Sequence, residues 1–159
     1  MRIFGDPILR ATCSDVTRFD DALRLFAEDL ELAMDHYRGV GVAANQLGWD
    51  QRVFVYDDEG TVRWLCNPVV SDPEGELRLE EGCLSIPGLY FETARAERVT
   101  VTGNDLSGAP VAFQAEGFLA RIMQHETDHL NGMLYIDRLD PDLRREAMRE
   151  IRERDIRPG

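Results

Sequence analysis

The stretch Gln124-His125-Glu126-Thr127-Asp128-His129-Leu130-Asn131-Gly132 decides how this chain is read. It contains HExxH, in which histidines four residues apart fall one helical turn apart on the same face, so their ring nitrogens can converge on one cation. The Glu beside the first histidine can reach a water held there without ligating the cation itself. Asn131-Gly132 is a helix stop, so a helix from about Glu116 to Asn131 ends on the motif. On a wheel at ~100° per residue, His125, His129 and Ile122 cluster about Phe118, and Glu126, Leu119, Leu130 and Met123 continue that arc. Arg121, Asp128, Gln124, Ala120 and Thr127 occupy the other side. The two histidines and Glu126 therefore point inward among apolar residues, a costly place for a carboxylate unless something compensates it. A chance HExxH on a polar helix face would look to solvent instead.

A catalytic site of this kind needs a third protein ligand and an open position for water. A third histidine six residues after the second is ruled out, because that position is Tyr135. A glutamate from a following helix would have to be Glu146 or Glu150. Both lie in DPDLRREAMREIRERD, a run so evenly charged that it suits an exposed face with i,i+4 pairs. Cysteine is the remaining option. Cys83 sits in Glu80-Glu81-Gly82-Cys83-Leu84-Ser85-Ile86-Pro87-Gly88, between a strand and a Pro-Gly turn, and Gly82 removes bulk beside the thiol. Cys13 and Cys66 read as small core or surface residues.

Outward from the motif, residues 20–37 form an amphipathic helix. Asp20 caps it, Leu23, Phe26, Ala27, Leu30, Met34 and Tyr37 recur on one face, and Gly39 supplies the left-handed residue that ends it. His36 falls on the polar face and reads as solvated. Arg52–Tyr56, Val62–Leu65 and Glu76–Leu79 have strand character. Arg98–Thr102 and Pro110–Ala115 flank a turn-rich hexapeptide, as in a hairpin. A short charged helix runs from about Pro141 to Arg154. The expectation is an α+β fold, with antiparallel-leaning sheets packed around a central HExxH-bearing helix, an N-terminal amphipathic helix and a short C-terminal one. No repeat, low-complexity tract or linker divides residues 1–159, so one domain is expected.

Composition narrows the function. The net charge is 18 − 30 = −12, which argues against direct nucleic-acid binding. All eighteen basic residues are Arg, so no lysine nucleophile or Schiff base is available. The N-terminus lacks the apolar run and cleavage site of a signal peptide, and no stretch approaches the ~20 apolar residues of a membrane span. Three irregularly spaced cysteines argue against a disulfide framework and for a reducing cytoplasm.

Three segments together resemble the peptide deformylases. Gly39-Val40-Gly41-Val42-Ala43-Ala44-Asn45-Gln46 is similar to that family's GxGLAAxQ, Glu81-Gly82-Cys83-Leu84-Ser85 to EGCLS, and Gln124 through Leu130 to QHExDHL. They occur in the family's order, and the similarity runs from about Gly5 through Leu139. Val42 replaces the usual Leu, the N-terminus is short, and Tyr90 stands where many members carry a polar or basic residue.

The resemblance implies a metallo-amidohydrolase acting on a linear amide. It would remove the formyl group from N-formylmethionyl nascent peptides and release formate. It implies Cys83, His125 and His129 as ligands of one divalent ion, Fe(II) natively with Zn, Ni or Co able to substitute. Glu126 is implied as general acid/base for a metal-bound hydroxide, and Gln46 with the Leu84 N–H as donors to the developing oxyanion. The ligand set alone leaves zinc and iron both open. Gly39, Gly41 and Gly82 suggest close approach of a peptide bound as an added strand. Val40, Phe118 and Ile122 are candidates for the Met pocket.

Two rivals use the same residues. A metallo-endopeptidase would take a carboxylate or a third His as ligand, and a structural metal site would be closed by four protein ligands, leaving Glu126 without a task. Arg95 is expected to pair with Glu81 and brace the Cys83 loop. The segment Asp142–Gly159 holds six of the eighteen arginines, which suits either a solvated charged helix or docking on the ribosome.

Overall fold

Strand β2 (Val53–Asp58) shows how the architecture is built. Its first four residues are all buried, because both faces of the sheet are covered. Val53 and Val55 join Leu23, Leu30 and Met34 of helix α1 (Asp21–Tyr37) on one side. Phe54 and Tyr56 join Ala120, Ile122, Met123 and Leu130 of helix α2 (Gly117–Leu130) on the other. The side-chain period of two sends alternate residues to two different cores. The structure is a computed structural model that describes residues 1–157.

The sheet is antiparallel and five-stranded. Its order is β1 (Gly41–Ala43), β2, β3 (Thr61–Glu74), β6 (Arg98–Asn104), β7 (Pro110–Glu116). A second sheet pairs β4 (Leu77–Cys83) with β5 (Ile86–Arg95). A third apolar cluster joins Ile86, Leu89 and Phe91 of β5 to Leu134–Ile136 and to Ala147 and Ile151 of helix α3 (Pro141–Glu153). The α+β fold with antiparallel sheets and three helices is the one the sequence predicts. Among the described residues no helix is long and apolar enough to cross a membrane.

Helix α1 begins where expected, with the Asp20 carboxylate accepting from the Ala22 and Leu23 N–H groups. Its end differs. Arg38, not Gly39, takes the left-handed conformation (φ 54°), and the Gly39 N–H closes the turn on the Met34 carbonyl at 2.9 Å. Gly39 serves packing instead, because a Cβ there would lie 3.1 Å from Leu84 Cδ1. Strand β3 runs well past Leu65, through Asn67-Pro68 and Asp72-Pro73. It absorbs this turn-like chemistry as two register shifts against β6, with Asn67 and Asp72 at positive φ. The Pro87-Gly88 pair is not a turn. The chain reverses at Leu84-Ser85, and Pro87 and Gly88 lie inside β5. The wheel's polar side of α2 is also corrected. Ala120, Thr127 and Asp128 are buried, because the helix lies between the two sheets and has no broad solvent face.

Candidate metal centre and substrate cavity

The last residue of β4 is Cys83, and a register shift against β5 at Gly82/Cys83 turns its side chain toward α2. There the Cys83 Sγ lies 3.2 Å from His129 Nε2, which lies 3.2 Å from His125 Nε2. All three donor atoms fall within 4.8 Å of one another. Nitrogens each ~2.1 Å from a tetrahedral cation sit about 3.4 Å apart, so the spacing fits one shared ion. The chemistry of the donor set, two imidazoles and a thiol, suits zinc or iron. His125 also has the outer partner that metal-binding imidazoles usually keep, since its Nδ1 is hydrogen-bonded to Glu81 Oε1. His129 Nδ1 is buried with no hydrogen-bond partner among the described residues. Cys13 and Cys66 are buried free thiols elsewhere in the core, and burial pushes them up to about 11 and about 12.

Behind the three donors lies a buried ionic seam. Arg95, at the end of β5, donates through Nε and Nη2 to the two oxygens of Glu81 at 3.1 and 2.6 Å, and through Nη1 to Asp128 at 2.5 Å. The Arg95 and Glu81 side chains are only 3% and 2% exposed. Burial alone would raise the Glu81 carboxyl. Hydrogen bonds from His125 and Arg95 outweigh it and hold that group far below the usual carboxylate range. Burial alone would lower Arg95, but Glu81 and Asp128 outweigh it and hold the guanidinium above its usual value. Asp128 is shared with Arg138, whose Nη2 lies 2.6 Å away. The expected Arg95–Glu81 pair is present. Asp128 as its second partner escaped the sequence reading, because the wheel put that residue outside.

Glu126 is 4% exposed and its Oε2 has no hydrogen-bond partner among the described residues. Burial pushes its carboxyl up to about 7, against the lowering pull of His125. It lies against β1, where a Cβ on Gly41 would sit 2.5 Å from Glu126 Oε1. The space opposite Gly82 is filled likewise, since a Cβ there would meet the Tyr90 ring at 2.4 Å. These glycines thus make room for the chain's own side chains at the cavity wall.

Gln46 occupies the short 3-10 turn Ala44–Leu47 that follows β1. Its Oε1 accepts from the Ala43 N–H at 2.9 Å, and its Nε2 donates to Ser85 Oγ at 3.1 Å, with Cys83 Sγ at 3.8 Å. Among the described residues the Leu84 N–H has no backbone acceptor. Asn45 Nδ2, 2.6 Å from the His129 carbonyl, ties the same turn to the end of α2. Tyr135, excluded as a ligand from sequence, donates its hydroxyl to the Leu89 carbonyl at 3.1 Å, and its ring stacks on His125 with centroids 6.4 Å apart.

A cavity of about 570 Å³ opens onto these groups. Val40, Gly41, Gln46, Gly82, Cys83, Leu84, Phe118, Ile122, His125 and Glu126, all picked out in the sequence, line it. Ile122 is buried in its floor, whereas Val40 (44%), Phe118 (54%) and Tyr90 (65%) stand exposed at its rim. The arrangement can polarise a carbonyl, donate hydrogen bonds to its oxygen and move a proton through one buried carboxylate.

Comparison with known proteins agrees with this geometry. The family model described as polypeptide deformylase matches residues 1–145. A peptide deformylase of Acidothermus cellulolyticus is 49% identical over 153 residues, covering 96% of this chain and 85% of that one. The crystal structure of peptide deformylase from Thermus thermophilus superposes with a TM-score of 0.92 at 40% identity, covering 96% of this chain and 92% of that one. A Synechococcus elongatus peptide deformylase in complex with actinonin gives a TM-score of 0.89 at 38% identity, with 94% and 84% covered.

Proposed function

The chain belongs to the peptide deformylase family, enzymes that remove the N-formyl group from nascent peptides, and on that premise we propose how its cavity performs the reaction. Cys83, His125 and His129 hold one divalent ion, Fe(II) natively, with Zn, Ni or Co able to replace it. The single observation that carries this reading is the convergence of those three donor atoms beside buried Glu126, whose Oε2 has no hydrogen-bond partner among the described residues. When bound, the ion supplies Lewis acidity that makes water nucleophilic near neutral pH.

Glu126 takes the proton of that water and delivers it to the departing amine, a role suited by a carboxyl raised to about 7. The Gln46 amide N–H that faces Cys83 Sγ and the Leu84 N–H donate to the formyl oxygen as negative charge develops on it. The Met side chain enters the apolar part of the cavity beside Ile122, Val40 and Phe118. The peptide backbone adds along β1, which is an edge strand with one side unpaired in its sheet, opposite Gly82. Residues 1–159 act as one catalytic domain in the cytoplasm. Within α3, Arg145 pairs with Asp142 and Arg149 lies beside Glu146 and Glu153, which supports a solvated face there over a ribosomal one. Pro158 and Gly159, the last residues of that segment, lie outside the described residues.

Formate release from a formyl-Met peptide by anaerobically purified protein tests the activity. Glu126→Ala is expected to keep the metal and abolish turnover, and full turnover would remove Glu126 from the proton path. Cys83→Ser is expected to lose or alter the metal centre. Unchanged metal content and spectrum would instead favour the metallo-endopeptidase reading with a carboxylate ligand.

A further inference from the structure

The Gln46 amide is held on two sides. Its oxygen is taken by the Ala43 N–H and one of its two N–H groups by Ser85 Oγ. Exchanging the amide oxygen and nitrogen would set two N–H donors against each other at Ala43, so that contact fixes the flip. It does not fix the twist of the amide plane about its last torsion, which is soft. Ser85 does that. Its hydroxyl captures one N–H and leaves the other on the side of Cys83, whose sulfur is 3.8 Å away.

Ser85 is itself immobilised. It is 0% exposed, it lies in the tight turn between β4 and β5, and its carbonyl accepts the Phe4 N–H at 2.8 Å. The Arg2 N–H, two residues earlier, donates to the Gln46 carbonyl at 2.6 Å. The segment Arg2–Phe4 thus ties the backbones of Gln46 and Ser85 together, while the Gln46–Ser85 contact ties their side chains. The Leu84 N–H, the second donor, is in the residue next to Ser85.

We propose that Ser85 is a positioning residue that aims the Gln46 amide at the formyl oxygen and holds it in register with the Leu84 N–H. The inference rests on the reading of Gln46 as an oxyanion donor. It predicts an effect on the transition state, where the oxygen carries charge, and little on the ground state.

The test measures kcat and KM on a formyl-Met peptide for metal-loaded wild type, Ser85→Ala, Gln46→Ala, the double variant and Ser85→Thr, alongside metal content and melting temperature. Ser85→Ala should lower kcat roughly ten- to a hundredfold with KM, metal content and melting temperature near wild type. The double variant should turn over no more slowly than Gln46→Ala alone, because Ser85 acts only through that amide. Ser85→Thr, which restores the hydroxyl, should recover most of the loss, and it carries the test if Ser85→Ala does not fold. Full turnover of Ser85→Ala with an impaired Gln46→Ala overturns the positioning role alone, as do multiplicative losses in the double variant. Full turnover of Gln46→Ala overturns the oxyanion reading beneath it.

Discussion

The seam between β4 and α2 and the exposed face of α3 are both built from arginine–carboxylate pairs, yet they are different objects. At the seam, Arg95 spans Glu81 and Asp128 with all three side chains almost wholly out of solvent. On α3, Arg149 lies 3.9 Å from both Glu146 and Glu153, with its side chain 60% exposed. Water solvates the second set whether or not the pair forms. It cannot reach the first, so each seam charge depends on its partners, and the same residue type becomes structural in one place and nearly neutral in the other. Position adds to the contrast. The seam joins Glu81, two residues before Cys83, to Asp128, one residue before His129.

The sharpest way to break the seam is Arg95→Ala. Two carboxylates would be left buried without their shared cation, which costs about 3–5 kcal/mol. Urea unfolding should show that loss, together with reduced metal content as Cys83 and the histidines lose their common brace. Arg95→Lys keeps the charge but not the forked geometry and should fall between. A full-stability Arg95→Ala would mean that water enters the seam freely and that the contrast with α3 is false.

The seam also predicts a pH dependence. The Glu81 carboxyl is depressed in the folded protein by His125 and Arg95, against the raising effect of burial. Its contribution is therefore complete above the ordinary carboxylate value of about 4.5 and is lost as pH falls below it. Wild type should lose stability on acidification below pH ~4.5 more steeply than Glu81→Gln. Parallel acid limbs would show that Glu81 titrates normally.

Helix α3 is held by its other face. Ile151 is 3% exposed in the cluster with Ile86, Leu89 and Phe91, so Ile151→Ala should cost about 2–4 kcal/mol. That substitution leaves every arginine of α3 in place. If it destabilised the chain no more than an exposed substitution, apolar docking would not be what holds the helix.

This contrast also explains what the sequence disclosed. All three helices were legible, α1 and α2 through their periodicity and a cap or stop, as at Asp20 and Gly132, and α3 through its even i,i+4 charge pattern. So was the β6–β7 hairpin, whose strands are joined by a short turn. The three convergent donors were legible through HExxH and the EGCLS resemblance. Strands β1 and β5 were not. The first is three residues long, and the second contains Pro87-Gly88, which reads locally as a turn and lies in the register shift between the Cys83–Ile86 and Gly82–Tyr90 pairs of β4 and β5. Asp128 was misplaced for a related reason. A wheel knows one buried face, and α2 is covered on two sides by elements far away in sequence. That Glu126 and Tyr90 stand where side chains on Gly41 and Gly82 would go was not legible either, because only the fold brings them there.

The smallest effect is the most instructive about α3. Arg149→Ala removes a side chain whose two carboxylate contacts sit at the limit of ion-pair distance. Pairs of this kind on a helix surface contribute about 0.3–0.5 kcal/mol, and salt screens even that over a Debye length of ~10 Å at 0.1 M. Urea unfolding of Arg149→Ala should therefore match wild type within about 0.5 kcal/mol, and the difference should shrink further in 0.5 M salt. A cycle with Glu153→Ala should show almost no coupling. A loss as large as that of Ile151→Ala would mean that the Arg149 stem packs against the protein, and the face would then no longer be the solvated counterpart of the seam.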